Sequence, residues 1–245
     1  MIRRPPRSTQ GVSSAASDVY KRQYKVDPEA LYFDPGALSE RGRQLVDELE
    51  ARGVPCEALA SHQLEGAADT KTPQGLIAVF RHPEIPLNSL SACQRLLIGD
   101  GISDPGNVGT LIRSAQAFDF EAVLLTEESA DPFSPKVVRS TAGAIFGLPV
   151  SKLNLDTCLD FLQDGDFTLV TSAPTASGDS DQLKELSSRG QIALVIGSEG
   201  EGVSQRLAER SELRLAIRHS DRVESLNAGV AGSLLMREIY ELAAD

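Results

Sequence analysis

The strongest constraint on the fold is a series of short, strongly apolar runs separated by helix-like stretches in the C-terminal part of the chain. The runs that we interpret as strands lie at residues 95–99, 122–126, 167–172, 191–197 and 213–217. Strands this apolar are buried on both faces, and intervening helices allow successive strands to run parallel. The sequence therefore predicts an α/β domain with a parallel sheet covered on both faces, and a final helix at about 226–243.

A smaller α/β pattern precedes this domain. Its strand candidates and one helix candidate lie at residues 30–33, 56–59, 75–80 and 37–52. Residues 81–92 contain two prolines and several small polar residues, which are typical of an interdomain linker. We therefore expect a small domain at 24–82, a linker at 83–93 and the larger domain at 94–245.

Residues 1–23 differ in charge from the rest of the chain. The chain carries a net charge of -11, but this segment holds five basic residues and one acidic residue, so the remainder carries -15. The segment resembles a basic nucleic-acid arm, a transit peptide or translated sequencing-adapter read-through. We favour the last interpretation, a non-native or disordered segment, and assign it no function.

Composition excludes several classes of protein. No run approaches the roughly 18 to 20 apolar residues of a membrane-spanning helix, so we expect no membrane association. The three cysteines are far apart and form no CxxC pair, which predicts neither a disulfide framework nor a metal site and fits a cytoplasmic location. A chain this acidic repels polyanions, so a nucleic-acid partner requires a local basic patch.

Ligands of open parallel sheets bind at the carboxyl ends of the strands. The first candidate loop at such an end is DGISDPGNVGTLIR, residues 100–113. Its glycines allow a tight turn, Asn107 stands where a helix is expected to begin, and Arg113 follows about one and a half turns later. The alternative is a helix cap followed by a surface arginine. The glycine spacing matches neither GxGxxG nor a P-loop, which disfavours a dinucleotide or NTP site.

Two further loops have similar features. Residues 197–204, GSEGEGVS, follow a strand and place glycines around Glu199 and Glu201, which allows close backbone approach to a ligand but disfavours phosphate. In residues 223–240, Ser225 and Asn227 bracket the start of a helix rich in Ala and Gly, which indicates close packing. The alternatives are a flexible acidic turn and a helix buried against the sheet.

Together, in this order and spacing, the three segments resemble the TrmH/SpoU family of RNA ribose methyltransferases in the SPOUT superfamily. The matching residues are Asn107, Gly109, Thr110 and Arg113, then Gly197, Glu199, Gly200 and Gly202, and finally Ser225, Leu226 and Asn227. Upstream, LYFDP and KTPQGLIAVF resemble parts of the family's α/β/α substrate-binding domain. The resemblance therefore runs from about residue 24 to the C-terminus.

The resemblance implies a trefoil-knotted catalytic domain, a homodimer formed partly through the last helix, and S-adenosyl-L-methionine (AdoMet) as cofactor. It implies methyl transfer to a ribose 2′-hydroxyl of structured RNA, with rRNA favoured over tRNA. The cofactor-binding residues expected from it are Thr171, Gly197, Gly202, Ile217, Ser225 and Leu226. The expected catalytic residue is Arg113, with Asn107, Glu199 and Asn227 orienting it and the ribose. Because arginine is too weakly acidic to act easily as a base, positioning of the phosphate and the nucleophile is an equally physical role for Arg113.

The chain departs from the family pattern in two places. Ile217 is followed by Arg218, His219, Ser220, Asp221 and Arg222 instead of a Pro-Met run. We expect the loss of the proline to loosen the cofactor loop. The basic groups that RNA binding requires are expected from four arginines: Arg113, Arg139, Arg218 and Arg222. The small domain also lacks a strand and helix where residues 1–23 stand, so we expect it to be truncated. A catalytically silent knotted RNA-binding protein and an unrelated α/β nucleotide-binding enzyme remain the alternatives.

Overall fold

The computed structural model describes residues 27–67, 75–81, 85–174, 190–220 and 222–242. The segment 1–23, part of the predicted linker and Asp221 lie outside these ranges. The chain divides into two compact units. The first contains the described residues as far as Arg81 together with Phe133–Gly147, and the second contains Ile85–Pro132 and the described residues from Leu148 onward.

The described strands and helices are numbered in chain order. The strands are β1 Ala30–Phe33, β2 Cys56–Ala58, β3 Leu76–Val79, β4 Arg95–Asp100, β5 Ala122–Thr126, β6 Val150–Leu153, β7 Phe167–Ser172, β8 Gln191–Gly197 and β9 Leu213–Leu215. The helices are α1 Glu40–Ala51, α2 Ser61–Ala67, α3 Pro105–Ala117, α4 Pro135–Ser140, α5 Leu155–Asp164, α6 Gln205–Glu209 and α7 Ala228–Leu242. Short 3-10 helices occur at Leu87–Leu90 and Ala144–Phe146. None of the helices in the described ranges has the length and apolar character needed to cross a membrane.

The first unit is built on a three-stranded sheet in the order β2-β1-β3. β1 pairs with β2 in parallel and with β3 antiparallel. The helix α1 begins after Ser39, whose hydroxyl accepts a hydrogen bond from the Gly42 amide at 3.1 Å. Its apolar face packs into the core of the unit, where the rings of Phe80 and Phe146 lie 4.4 Å apart between centroids.

The second unit contains a six-stranded sheet in the order β6-β5-β4-β8-β7-β9, and every strand pair is parallel. β4 and β8 occupy the centre and are buried on both faces. One face packs against a core that includes Leu159 and Leu162 of α5. The predicted α/β class with a parallel sheet is therefore confirmed, whereas the trefoil knot stays a prediction.

The structure differs from the sequence prediction in several elements. The edge strand β6, Val150–Leu153, was not predicted. Within the predicted linker, Leu87–Leu90 forms a 3-10 helix whose Leu90 is only 3% exposed and packs in the core of the second unit, because the apolar leucines of this segment find a buried site. β9 ends at Leu215, so Ile217 follows the strand, and the last helix begins at Ala228 rather than near residue 226.

Candidate functional site

The turn between β4 and α3 is held by one side chain at the end of β5 and one just after it. Gly101 has a φ of +66°, and its amide donates to Oγ1 of Thr126 at 2.8 Å. The Ile102 amide donates to Oγ of Ser129 at 3.0 Å. Asp104, and not Asn107, caps the helix, since Oδ1 of Asp104 accepts from the Asn107 amide at 2.9 Å. This corrects the predicted helix start and leaves the Asn107 side chain available for other contacts.

The loop after β8 is a tight turn that closes on itself. The amide of Ser198 donates to the Gly202 carbonyl at 3.1 Å, and the Gly202 amide donates back at 3.0 Å. Gly202 has a φ of +71°, which favours glycine. A Cβ at Gly197 would lie 2.1 Å from the carbonyl carbon of Gly202 and 2.2 Å from the amide nitrogen of Val203. The loop therefore folds directly over the end of its own strand, and only glycine fits there.

The glycines of α7 allow close packing, as the sequence predicted. A Cβ at Gly229 would lie 3.1 Å from Cβ of Thr110, and a Cβ at Gly232 would lie 2.3 Å from Leu111, both residues of α3. One turn further on, the hydroxyls of Ser114 and Ser233 form a hydrogen bond of 2.7 Å between the same two helices. The helix is also buried against the sheet through Ile196, so the two interpretations of this segment hold together.

Asn107, Glu199 and Asn227, one from each of the three motifs, meet in one hydrogen-bond network. Oε1 of Glu199 accepts from Nδ2 of Asn107 at 3.0 Å, from Nδ2 of Asn227 at 2.7 Å and from the Ala228 amide at 3.2 Å. Nδ2 of Asn227 also donates to Oδ1 of Asn107 at 2.8 Å. Oδ1 of Asn227 in turn accepts from the Val230 amide at 3.2 Å and caps α7. The carboxylate of Glu199 thus joins the starts of α3 and α7 to the loop after β8.

A cavity of about 530 Å³ lies beside this network, at the carboxyl ends of β7 and β8. All six predicted cofactor-binding residues line it, together with Glu199: Thr171, Gly197, Gly202, Ile217, Ser225 and Leu226. Thr171 is only 1% exposed, and its hydroxyl forms a hydrogen bond of 2.8 Å with that of Ser211.

Arg113 is exposed on α3 and stands apart from this network. Within the described ranges it forms neither a hydrogen bond nor an ion pair, and it is not among the residues that line the cavity. Asn107, by contrast, is buried in the first turn of the same helix. The structure thus brings together three of the four predicted catalytic residues, and the orientation of Arg113 by the network stays a prediction.

Sequence reasoning missed several polar groups of this site. Arg214, His219 and Glu224 also line the cavity. Asp100, at the end of β4, is 6% exposed, and its Oδ2 accepts from the Ser204 amide at 2.7 Å. The available signal for Asp100 was an acidic residue that directly follows an apolar strand and stands between two glycines.

A parallel sheet with a ligand cavity and a carboxylate–amide network at its carboxyl edge defines an α/β enzyme domain of the kind whose chemistry resides in its loops. A profile of the SpoU rRNA Methylase family matches residues 94–237. A second profile, described as RNA 2'-O ribose methyltransferase substrate binding, matches residues 21–86. The chain belongs to the SpoU rRNA Methylase family, which confirms the resemblance and the expectation of an RNA methyltransferase.

Individual relatives agree with this assignment. The 23S rRNA (guanosine(2553)-2'-O)-methyltransferase RlmP of Bacillus subtilis (strain 168) is 34% identical over 184 residues, or 75% of this chain and 72% of the relative. The fold is similar to that of the SpoU methyltransferase AviRb from Streptomyces viridochromogenes, solved with AdoMet, with a TM-score of 0.79, 23% identity and coverage of 97% and 90% of the two chains. An AdoMet-bound rRNA methyltransferase from Sinorhizobium meliloti gives a TM-score of 0.78 at 22% identity, over 95% and 86% of the two chains.

Proposed function

We propose that this protein transfers the methyl group of AdoMet to a ribose 2′-hydroxyl of ribosomal RNA. The observation that carries the proposal is the convergence of Asn107, Glu199 and Asn227 beside a cavity lined by the other motif residues. The 2′-O-methyltransferase RlmP, an rRNA enzyme, is similar over three quarters of the chain. The match of residues 21–86 to a substrate-binding profile supports RNA as the partner.

The cavity has the size and chemistry to hold AdoMet. Its volume falls within the roughly 300 to 1,000 Å³ of small-molecule sites. The apolar side chains of Ile217 and Leu226 offer contact to an adenine ring, and the backbone at Gly197 and Gly202 is free of side chains that would block close approach. When bound, AdoMet supplies an electrophilic methyl group on a positively charged sulfonium.

The charged residues of the cavity wall favour a cation. Among the described residues, three carboxylates line it, those of Glu199, Glu201 and Glu224, against one arginine, Arg214. A site with this excess of negative charge attracts a positively charged ligand and disfavours a phosphate-rich one. This charge balance supports AdoMet over a nucleoside triphosphate as the ligand.

The chain's own residues contribute mainly by positioning. The network around Glu199 fixes the starts of α3 and α7 relative to the loop after β8, so the ribose and the methyl donor meet a rigid frame. In this proposal the guanidinium of Arg113 holds the phosphate beside the target ribose and stabilises the negative charge that develops on the 2′-oxygen as the hydroxyl loses its proton. This role requires an unpaired guanidinium, and Arg113 forms no ion pair with the residues that the structure describes.

Exposed arginines of the second unit provide the basic groups that an acidic chain needs for RNA. Arg218 and Arg222 lie in the loop between β9 and α7, and Ile217 and Leu226 of the same loop line the cavity. Arginine binds phosphate oxygens with two parallel hydrogen bonds. We assign Arg218 and Arg222 to the RNA backbone, and we retain Arg139, on α4 of the first unit, as a further phosphate contact.

We also propose a homodimer formed partly through α7, acting in the cytoplasm. The buried side of α7 packs within its own chain, but Val230 and Leu234 are 47% and 42% exposed on the same helix, and Val223 is 48% exposed just before it. Large apolar side chains grouped on one exposed surface mark association sites. A second copy of the chain covers them in this proposal.

Methyl transfer from labelled AdoMet tests the function. Wild type and Arg113→Ala are incubated with rRNA from cells that lack the gene, with Arg206→Ala as control, because Arg206 is an exposed arginine paired with Asp156. We expect label in alkali-resistant dinucleotides for wild type and control, and a loss of about 10²-fold for Arg113→Ala.

Two outcomes would reject the proposal in favour of its alternatives. Binding of RNA and AdoMet by wild type without transfer to any rRNA would support a catalytically silent RNA-binding protein. Binding of NAD or ATP without AdoMet would support an unrelated α/β enzyme.

A further inference from the structure

We infer that Asp100 is a positioning residue for the cofactor: its buried carboxylate ties the loop after β8 to the turn that leads into α3. The inference rests on the proposed function, because it concerns the same cavity. It adds a residue that begins the first motif segment but is not among its matched residues, and that does not itself line the cavity.

Asp100 is the last residue of β4, and in the sheet it lies opposite Gly197, the last residue of β8. The loop at 198–203 follows Gly197, folds back over the strand end and leads at Ser204 into α6. There the Ser204 amide donates to Oδ2 of Asp100 at 2.7 Å. The carboxylate therefore holds the point at which the loop leaves the cavity wall.

The position of Asp100 is itself fixed by its neighbours. The next two residues donate their amides to Oγ1 of Thr126 and Oγ of Ser129, and the Ser129 hydroxyl donates to the Gly99 carbonyl at 3.2 Å. Nζ of Lys152 donates to the Ser129 carbonyl at 2.5 Å and holds this support in place. Because this turn is rigid, the carboxylate of Asp100 holds the Ser204 amide at a fixed position relative to α3.

The loop at 198–203 is thus attached to the segment 100–107 at two points. Near the start of the loop, the tip anchor is Glu199, which accepts from Nδ2 of Asn107 at 3.0 Å. Just after the loop, the exit anchor is the hydrogen bond from the Ser204 amide to Asp100. Every residue of this loop lines the cavity. With the exit anchor removed, Gly202 keeps its two hydrogen bonds to Ser198, but Val203 and Ser204 lose their attachment to the end of β4, so the cavity wall loosens at Val203.

If Asp100 stabilised another part of the core, its carboxylate would accept hydrogen bonds from residues outside the loop after β8. Burial of a carboxylate is unfavourable unless a donor compensates it. The Ser204 amide is the donor that the structure gives for this 6%-exposed side chain within the described ranges. Asp100 therefore stabilises the loop, and we expect its substitution to weaken AdoMet binding before it affects other properties.

The test compares Asp100→Ala and Asp100→Asn with wild type in the full chain, by AdoMet titration calorimetry and by the KM values for AdoMet and rRNA. Because a hydrogen bond to a charged group is lost, we expect Asp100→Ala to raise the AdoMet Kd and KM about tenfold, with the rRNA KM within about twofold of wild type. The amide oxygen of Asp100→Asn still accepts from Ser204, so this variant should recover to within about threefold. Asp156→Asn, which removes an exposed carboxylate, is the control for charge.

Ser204→Pro provides a second route if Asp100→Ala does not fold. Ser204 has a φ of -56°, which proline adopts, and proline lacks the amide hydrogen that Asp100 accepts. We expect it to raise the AdoMet KM as Asp100→Ala does. Wild-type AdoMet affinity in Asp100→Ala or Ser204→Pro would overturn the inference, as would parallel loss of AdoMet and rRNA affinity without recovery in Asp100→Asn. Failure of wild type to bind AdoMet would instead refute the proposed function.

Discussion

Replacement of Gly197 by alanine is the sharpest perturbation that the site offers. The added Cβ would lie 2.1 to 2.3 Å from the Gly202 carbonyl group and the Val203 amide nitrogen. Ordinary van der Waals contact begins at 3.4 Å, so these atoms must move apart by about 1 Å. They are backbone atoms, which cannot rotate away as a side chain can. The substitution must therefore displace the loop or the end of β8.

The expected magnitude follows from two effects. Overpacking in a closely packed site costs about 1 to 3 kcal/mol, and the backbone contact places Gly197→Ala near the upper value. For a unit of this size, about 3 kcal/mol lowers the Tm by about 6 to 12 °C. A shift of about 1 Å at a binding site also costs about 10²-fold in rate, since the loop carries Glu199 and the cavity wall.

The same loop offers matched controls. A Cβ at Gly200 meets nothing within 4 Å, so Gly200→Ala should change the Tm by less than about 2 °C. Gly202 has open space but a φ of +71°, so Gly202→Ala should fall between the two, at a cost of roughly 1 to 2 kcal/mol. Thermal unfolding and AdoMet titration of the three variants measure the order of their Tm values and of their AdoMet affinities. A Gly197→Ala protein with the Tm and AdoMet affinity of Gly200→Ala would refute the close contact on which this reasoning rests.

Two further predictions concern association and thiol chemistry. Leu234→Asp, a charge on the exposed side of α7, should convert a dimer into a monomer in light scattering, and a monomeric wild type at micromolar concentration would contradict the proposed dimer. Burial, with a smaller effect of the Asp100 charge, raises the pKa of the Cys158 thiol to about 12, so at pH 8 iodoacetamide should leave Cys158 unmodified in the folded protein. Burial also raises the pKa values of Cys56 and Cys93, so both should react more slowly than free cysteine but faster than Cys158, and all three should react in denaturant. Equal labelling rates for all three in the folded state would contradict the burial of Cys158.

Strands were predictable where both faces are buried. β5, which reads AVLLT, and β7, which reads FTLVTS, lie at the predicted residues because their runs are mainly apolar and end at polar residues. β6 reads VSKL, with one polar residue on each face, and lies at the sheet edge, so it carries no such signal. The 3-10 helix at Leu87–Leu90 was missed because prolines and small residues mark a linker, whereas the burial of Leu90 depends on a core formed by distant strands.

The site was predictable only in part. The resemblance of the three motifs brought Asn107, Glu199 and Asn227 together, although Asn107 and Glu199 are separated by 92 residues and Asn107 and Asn227 by 120. The anchors of the turn before α3 were not foreseen, since Thr126, Ser129 and Asp100 resemble ordinary residues at strand ends. Their contacts come from the order of β4, β5 and β8 in the sheet, which local sequence patterns do not encode.

The arrangement of charges explains how an acidic chain can retain a cation for RNA. Glu199 belongs to the same set of motifs as Arg113 and would neutralise its charge in a direct ion pair. Instead, Oε1 of Glu199 accepts from two side-chain amides and one backbone amide, which use much of the capacity of that oxygen. Among the described residues, Glu199 thus contacts neutral donors and not Arg113, and in the proposed function the guanidinium of Arg113 is available to an RNA phosphate. In that proposal the two asparagines have a second purpose beyond rigidity, because they occupy a carboxylate oxygen that would otherwise be open to Arg113.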